Sequence, residues 1–325
     1  MKNTITNFLY WFESTLQLVL MKIITHKYHI DDIIFNSVFR SLTLPYYLYK
    51  LKKYNTKNEI LVARWCDILT GILDQVDIIL TYIAFAGLTI GEYITLRTLS
   101  VFFGGLYLIF YYKKLLPLQK LASICIILLA CVILLSFYNK SNFFYSFICI
   151  ISSLSYSLIN FIIELNVKTE DEKKLSFYWT KTISYIIALF IGVISEFNYK
   201  TISLILNKHN VLNVIIILSL EFLISILENF YYYLKIKLIT NYPKNGSLIA
   251  QFLDIARRFT LVIIGVLFFT EIYTSIIYVS LSLMFIGSIL GLINFYDLKL
   301  FFNKYFNKSN QIVVLPNIEI ICIDK

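Results

Sequence analysis

Charge is the scarcest resource in this chain. Asp, Glu, Lys and Arg make up 15% of the 325 residues, while apolar residues make up 58%. Soluble globular chains carry about 25% charged residues. A water-soluble core cannot enclose so much apolar surface, because large soluble chains divide into domains with polar exteriors. A single soluble globular domain is therefore excluded, and the bilayer is the expected solvent. Proline (four) and glycine (ten) are also few, whereas Ile, Asn, Lys, Tyr and Phe abound. Such a bias is what an A/T-rich genome produces, so the shortage of helix breakers need not reflect mechanism. Histidine occurs three times, at His26, His29 and His209, and a His-dependent membrane enzyme would need one of them in an apolar pocket. The five cysteines, Cys66, Cys125, Cys131, Cys149 and Cys322, show neither metal-ligand spacing nor a disulfide framework. The net charge of +9 does not imply nucleic acid, because the bases fall in short clusters between apolar runs rather than in a reading patch.

Those apolar runs are long. A helix needs about 20 apolar residues to cross the hydrocarbon layer, and backbone groups there must be satisfied internally, which selects helices. The spans are expected at 8–25, 32–50, 64–88, 91–112, 116–138, 143–166, 175–197, 210–240, 246–269 and 273–296. The first run, interrupted by Glu13, lacks a small-x-small cleavage site and reads as a retained helix rather than a signal peptide. With both termini cytoplasmic, one side holds most of the lysines, including Lys50, Lys52, Lys53, Lys113, Lys114, Lys168, Lys173, Lys174, Lys235 and Lys237. The other side holds only Lys27, Lys140, Lys200 and Lys208. That asymmetry obeys the positive-inside rule and favours an even number of spans, ten fitting best.

The longest polar stretch, Glu164–Lys174, reads as a solvated cytoplasmic loop. It places a linker at 167–174 between a first half at 1–166 (helices one to six) and a second at 175–308 (helices seven to ten), followed by a tail at 309–325. No C-terminal dilysine retrieval signal is visible there. A weak internal repeat crosses the linker. Ile72-Leu73-Asp74-Gln75 in the third span resembles Ile226-Leu227-Glu228-Asn229 in the eighth, and Arg97 precedes Gly105 by the interval that separates Arg257 from Gly265. The copies lie five helices apart, and an odd number reverses orientation. The expected fold is thus an all-α integral membrane protein of about ten helices in two inverted five-helix repeats, a plan of many secondary transporters.

Three stretches carry a family likeness: Leu96-Arg97 through Lys113-Lys114-Leu115 to Leu118-Gln119-Lys120; Phe161-Ile162-Ile163-Glu164 followed by Trp179-Thr180-Lys181-Thr182; and Gln251 to Gly265. On them, and on helix order, the chain resembles the drug/metabolite transporter superfamily and, within it, the nucleotide-sugar transporters. The resemblance implies exchange of a nucleotide sugar for a nucleoside monophosphate across a Golgi or endoplasmic reticulum membrane. It also implies that Glu164 and Lys181 match the family's charged residues at the close of helix six and the opening of helix seven.

Ionisable groups within the spans cost about 2.5–3.5 kcal/mol each on insertion scales and persist where they pair or line a watery cavity. Arg40, Arg97, Lys181, Arg257 and Arg258 form the candidate substrate-binding set, since an arginine fork suits phosphate. Pairing is the competing explanation: Asp254 shares a face with Arg257 and Arg258 and is expected to neutralise one of them. Glu92 does not share a face with Arg97, and Lys181 either faces substrate or snorkels to the surface. Asp74 and Asp77 share a face of the third span, and Glu221 and Glu228 one of the eighth. With Asp254 these are the candidate gating or proton-coupling acids, or static partners that fix helix packing. Tyr231, Tyr232 and Tyr233 read as interface anchors. Gly104-Gly105 and Gly287-x-x-x-Gly291 allow close helix contact, either within the chain or across a homodimer.

His26, His29, Asp31 and Asp32 read as an ordinary polar loop rather than a metal site, and no cofactor is expected. The function expected is that of a secondary carrier for a small anionic solute, in contact with lipid and not with nucleic acid. The alternatives are a carrier of another metabolite, such as an amino acid or a drug-like solute, with proton coupling through the acids, and an integral-membrane glycan or lipid transferase. A transferase would need acids or histidines clustered at the membrane surface, and none is evident.

Overall fold

A computed structural model describes residues 41–55, 63–136, 143–194, 211–242, 246–269 and 274–292, with scattered helical positions between Phe8 and Ile23. No strand occurs among the described residues. The helices are α1 (Leu44–Asn55), α2 (Trp65–Gly87), α3 (Ile90–Arg97), α4 (Leu99–Tyr112), α5 (Leu118–Ser136) and α6 (Phe143–Asn166), then α7 (Glu170–Ile194), α8 (Val211–Thr240), α9 (Gly246–Phe269) and α10 (Ser275–Leu292). A 3-10 turn, Ser41–Thr43, leads into α1. Pro45 sits in the first turn of α1, where its missing N–H forfeits no helix bond.

Five segments are long and apolar enough to cross a membrane: Ile90–Tyr112, Leu118–Ser136, Phe143–Asn166, Val211–Asn241 and Ser275–Leu292. Helices α2, α7 and α9 are as long, at 23, 25 and 24 residues, but carry ionisable groups in their interiors. Among the described side chains, Asp74, Asp77, Lys181, Asp254 and Arg258 are paired inside the bundle, so their charge is not presented outward. The outer surface is apolar: Leu118 is 82% exposed and Leu115 80%. Thr98, Ser123, Ser157 and Ser184 are fully buried. A soluble domain distributes these types the other way, and contiguous exposed apolar surface of this kind needs lipid or protein against it.

The span Ile90–Tyr112 is broken at Thr98, which separates α3 from α4. The Thr98 hydroxyl donates to the Thr95 carbonyl at 2.5 Å, a back-bond of the sort that bends helices. Thr89 and Glu92 close a capping box at the start of α3. At the far end Lys113 takes a left-handed conformation with φ 50°, which stops α4 before Pro117. The Glu164–Lys174 stretch is not a loop. Its residues from Glu170 on form the first turns of α7, where Thr169 accepts from the Glu172 N–H at 3.2 Å and Glu172 accepts from the Thr169 N–H at 2.8 Å. The expected linker at 167–174 shrinks accordingly to the residues between Asn166 and Glu170.

Helix α6 is the hub of the bundle, packing on α2, α3, α4, α8 and α9. The glycine motifs face the chain's own helices. The Ser123 hydroxyl donates to the Gly287 carbonyl and the Gln119 amide to the Leu290 carbonyl, each at 2.5 Å, which draws α5 against α10. Gly291 lies on the Phe252 ring of α9, and Gly104 lies on the Gln251 side chain of the same helix.

Candidate functional site

Lys181 is the first of two charge clusters in the bundle. Its ammonium, on α7, is 1% exposed and donates to Asp74 Oδ2 of α2 at 2.9 Å and to Glu228 Oε1 of α8 at 3.0 Å. It also lies 4.4 Å from the centre of the Tyr232 ring. The residues next in sequence continue the pattern. Ser184 donates to Gln75 at 3.2 Å, and Tyr185 donates to Asn229 at 2.6 Å. The two acids of the similar stretches Ile72–Gln75 and Ile226–Asn229 thus meet on one lysine, and the two amides meet neighbouring residues of α7. Lys181 neither snorkels nor stands open: two carboxylates hold it.

The second cluster surrounds Tyr156 of α6, which is 5% exposed. Arg97 of α3 grips Asp77 of α2 with both fork nitrogens, at 2.6 Å each. Ser152 of α6 donates to the same carboxylate at 2.6 Å and is itself contacted by Arg97. Arg258 of α9 pairs with Asp254 one turn earlier, as expected for one of the two adjacent arginines. Around the Tyr156 ring centre lie Lys235 at 4.3 Å, Arg97 at 4.7 Å and Arg258 at 5.9 Å, cations from three helices. The Tyr156 hydroxyl meets the Tyr231 hydroxyl at 3.1 Å, and Tyr231 meets Tyr10 at 3.0 Å.

Of the residues singled out in the sequence, Arg97, Lys181, Arg258, Asp74, Asp77, Glu228 and Asp254 fall into these two clusters. Glu221 is also buried, on α8 two turns before Glu228. Arg40, His26, His29, Asp31 and Asp32, and the tail 309–325, lie outside the described residues. Arg257 is placed in α9, but its side chain lies outside them too.

Two expectations are corrected. Tyr231, Tyr232 and Tyr233 are not a surface belt: Tyr232 is 2% exposed, between Lys181 and Lys235, and Tyr231 is tied to Tyr156. Lys235, grouped above with the surface lysines, is 2% exposed and held against the Tyr156 and Tyr232 rings. Tyr156, Ser152 and Lys235 escaped the sequence reading. The signal for the first two was the hydroxyl-rich stretch Ser152-Ser153-Leu154-Ser155-Tyr156-Ser157 inside an apolar span.

A third ionic group lies at the end of the bundle where α2 and α7 begin. Arg64 meets Asp67 at 2.9 Å, the Asn166 carbonyl at 3.1 Å and Glu172 at 3.8 Å. Glu164, at the end of α6, accepts from the Ser247 N–H at 2.8 Å and from its hydroxyl, so a carboxylate sits at the N-terminus of α9. Among the described residues no group of three or more His, Cys, Asp or Glu side chains is placed to hold a metal.

No family model matches the chain, and no curated protein is similar to it. A solved structure described as "Crystal structure of protein" is similar in fold, with a TM-score of 0.56 over 89% of this chain and 98% of that one, at 8% identity. At that identity the likeness concerns the fold alone.

Proposed function

We propose that the chain is a secondary carrier that moves an anionic metabolite by alternating access through ten helices in two inverted halves. The observation that carries this reading is the grip of Asp74 and Glu228 on Lys181. The acids occupy equivalent positions of the repeat, one in each half, and Lys181 belongs to the second half with Glu228, so a rocking motion of one half against the other lengthens or exchanges the Asp74–Lys181 contact. Three of the counterpart pairs also pack together, α1 on α7, α4 on α9 and α5 on α10, while α2 and α8 meet through Lys181. Buried charges in a lipid-facing bundle mark solute or ion pathways more often than they stabilise it. The acids Asp74, Asp77, Glu221, Glu228 and Asp254 then act as gate or coupling groups. Arg97, Lys181 and Arg258 act as their partners along the solute path, with Arg40 and Arg257 assigned to it on sequence grounds.

The solute class rests on the family resemblance: a nucleotide sugar, exchanged for a nucleoside monophosphate in a Golgi or endoplasmic reticulum membrane. The test is uptake of labelled nucleotide sugars into liposomes bearing the purified protein and preloaded with nucleoside monophosphates. Uptake of one sugar that rises with its own monophosphate inside, and falls in Arg97→Ala, supports the exchanger. Absence of uptake for every sugar, with folded protein in the membrane, removes the nucleotide-sugar version. A second reading, proton-coupled carriage of another metabolite, is favoured by the two carboxylates sharing one lysine. One of the two acids can bind a proton while Lys181 stays paired.

A further inference from the structure

Lys235 differs from the other buried cations in having no carboxylate. Arg97 has Asp77, Arg258 has Asp254 and Lys181 has two acids. Among the described residues Lys235 makes no ion pair and no hydrogen bond; its neighbours are the faces of Tyr156 and Tyr232, at 4.3 and 5.2 Å. An aromatic face attracts an ammonium but accepts none of its three N–H bonds in the way an oxygen does. A cation held only by aromatic faces keeps its charge uncompensated. The charges around Tyr156 do not balance either. Three cations stand within 6 Å of its ring centre and two of them bring an acid, which leaves an excess of one positive charge. The acids of the Lys181 cluster bond to Lys181 and make no hydrogen bond to Lys235 among the described residues.

We infer that Lys235 is the anchor for the solute, and that it takes an oxyanion group, a phosphate monoester or a carboxylate. The Tyr156 and Tyr232 rings hold the ammonium in place without neutralising it. An arriving oxyanion supplies the missing acceptors and the missing negative charge together. Arg97, Arg258 and Lys181 have their charges matched by their own acids, and the Arg97 Nε and Arg258 Nη1 donors, buried without a hydrogen-bond partner, shape the surroundings. This inference rests on the carrier reading and moves the point of attachment away from the arginines to α8.

The test is the melting temperature of the purified full-length protein in detergent. It is measured with orthophosphate, uridine monophosphate or acetate, each against sodium chloride at equal ionic strength. One or more of the three is expected to raise the melting temperature of the unaltered protein by ~2–5 °C. Lys235→Met, which removes the unpaired charge and keeps the stem, is expected to melt at or above the unaltered protein without anion and to show no anion-dependent rise. Lys235→Arg keeps charge and ring contact and is expected to keep a rise, which guards against misreading a variant that fails to fold.

No rise in the unaltered protein with any of the three, or a full rise in Lys235→Met, overturns the inference. The orthophosphate and acetate arms separate a phosphate site from a carboxylate site. A rise lost in Lys235→Met, in a protein that carries no solute in liposomes, would leave the anion site standing and remove the carrier reading instead.

Discussion

Asp74 on α2 and Glu228 on α8 hold the same ammonium, that of Lys181, at 2.9 and 3.0 Å. The arrangement is asymmetric in charge, two acids to one base, and that asymmetry decides how substitutions behave. Removing Lys181 leaves two buried carboxylates facing one another. Removing one acid leaves a neutral pair. Lys181→Met is therefore expected to cost ~3–5 kcal/mol, the scale of breaking a buried pair from one side, and Asp74→Asn or Glu228→Gln distinctly less. Chemical unfolding in detergent, followed by circular dichroism, measures the difference. Equal losses for all three variants would mean that the acids do not share the lysine.

Arg97 and Asp77 are joined by two parallel bonds, with Ser152 on the same carboxylate. A lysine cannot reproduce that fork. Arg97→Lys is expected to lose much of the stability lost by Arg97→Ala. A double-mutant cycle between Arg97→Ala and Asp77→Ala is expected to give a coupling of ~1–3 kcal/mol. Additive losses would show that the two side chains act separately.

The glycines of α10 line an intramolecular seam. A Cβ at Gly287 would stand 2.9 Å from Ile127 Cγ1 and 3.1 Å from the Ser123 carbonyl, and one at Gly291 would stand 2.3 Å from the Phe252 ring. Gly291→Leu is expected to destabilise by ~1–3 kcal/mol through overpacking and to leave the oligomeric state unchanged. Melting and size-exclusion chromatography with light scattering check the two halves of this prediction. A shift in molar mass would place the motif in a subunit contact.

Glu172 closes the capping box of α7, and its carboxyl is held below the usual value, first by the Thr169 N–H and then by that of Lys168. A carboxyl whose value is lowered on folding stabilises the fold above its unfolded value, ~4.3. The stabilisation is lost as pH falls through the folded value. Melting temperatures taken downward from pH 5 are expected to fall less steeply in Glu172→Gln than in the unaltered protein. Thr169→Ala is expected to cost ~1 kcal/mol at neutral pH.

That capping box was legible and was passed over: Thr169-Glu170-Asp171-Glu172 has the spacing of one, but the run of charges around it reads first as a loop. Helix placement was the easy part, because apolar length is a strong signal and α2 to α10 fall on the expected spans. The likeness of Ile72–Gln75 to Ile226–Asn229 was legible in four residues, and the two acids and two amides that it pairs all find partners on α7. Which base meets which acid was not legible across helices, since the Arg97–Asp77 pair depends on packing that spacing along one helix cannot show. The Asp254–Arg258 pair, local to one helix, was. Lys235 was the hardest to see. A lysine one turn from a helix end, beside aromatic residues, looks like a snorkelling surface group, and only the position of Tyr156 on another helix makes it interior.

Alternating access requires the Tyr156 centre to open to each side of the membrane in turn. Ser152 faces that centre and is fully buried. The measurement is labelling of Ser152→Cys, in a protein whose five native cysteines are replaced, by a membrane-impermeant thiol reagent applied to one side of sealed liposomes and then to the other. A carrier with alternating access predicts labelling from either side while the vesicles continue to exclude the reagent. Labelling from one side only, from neither side, or with leakage of the reagent through the protein would contradict it.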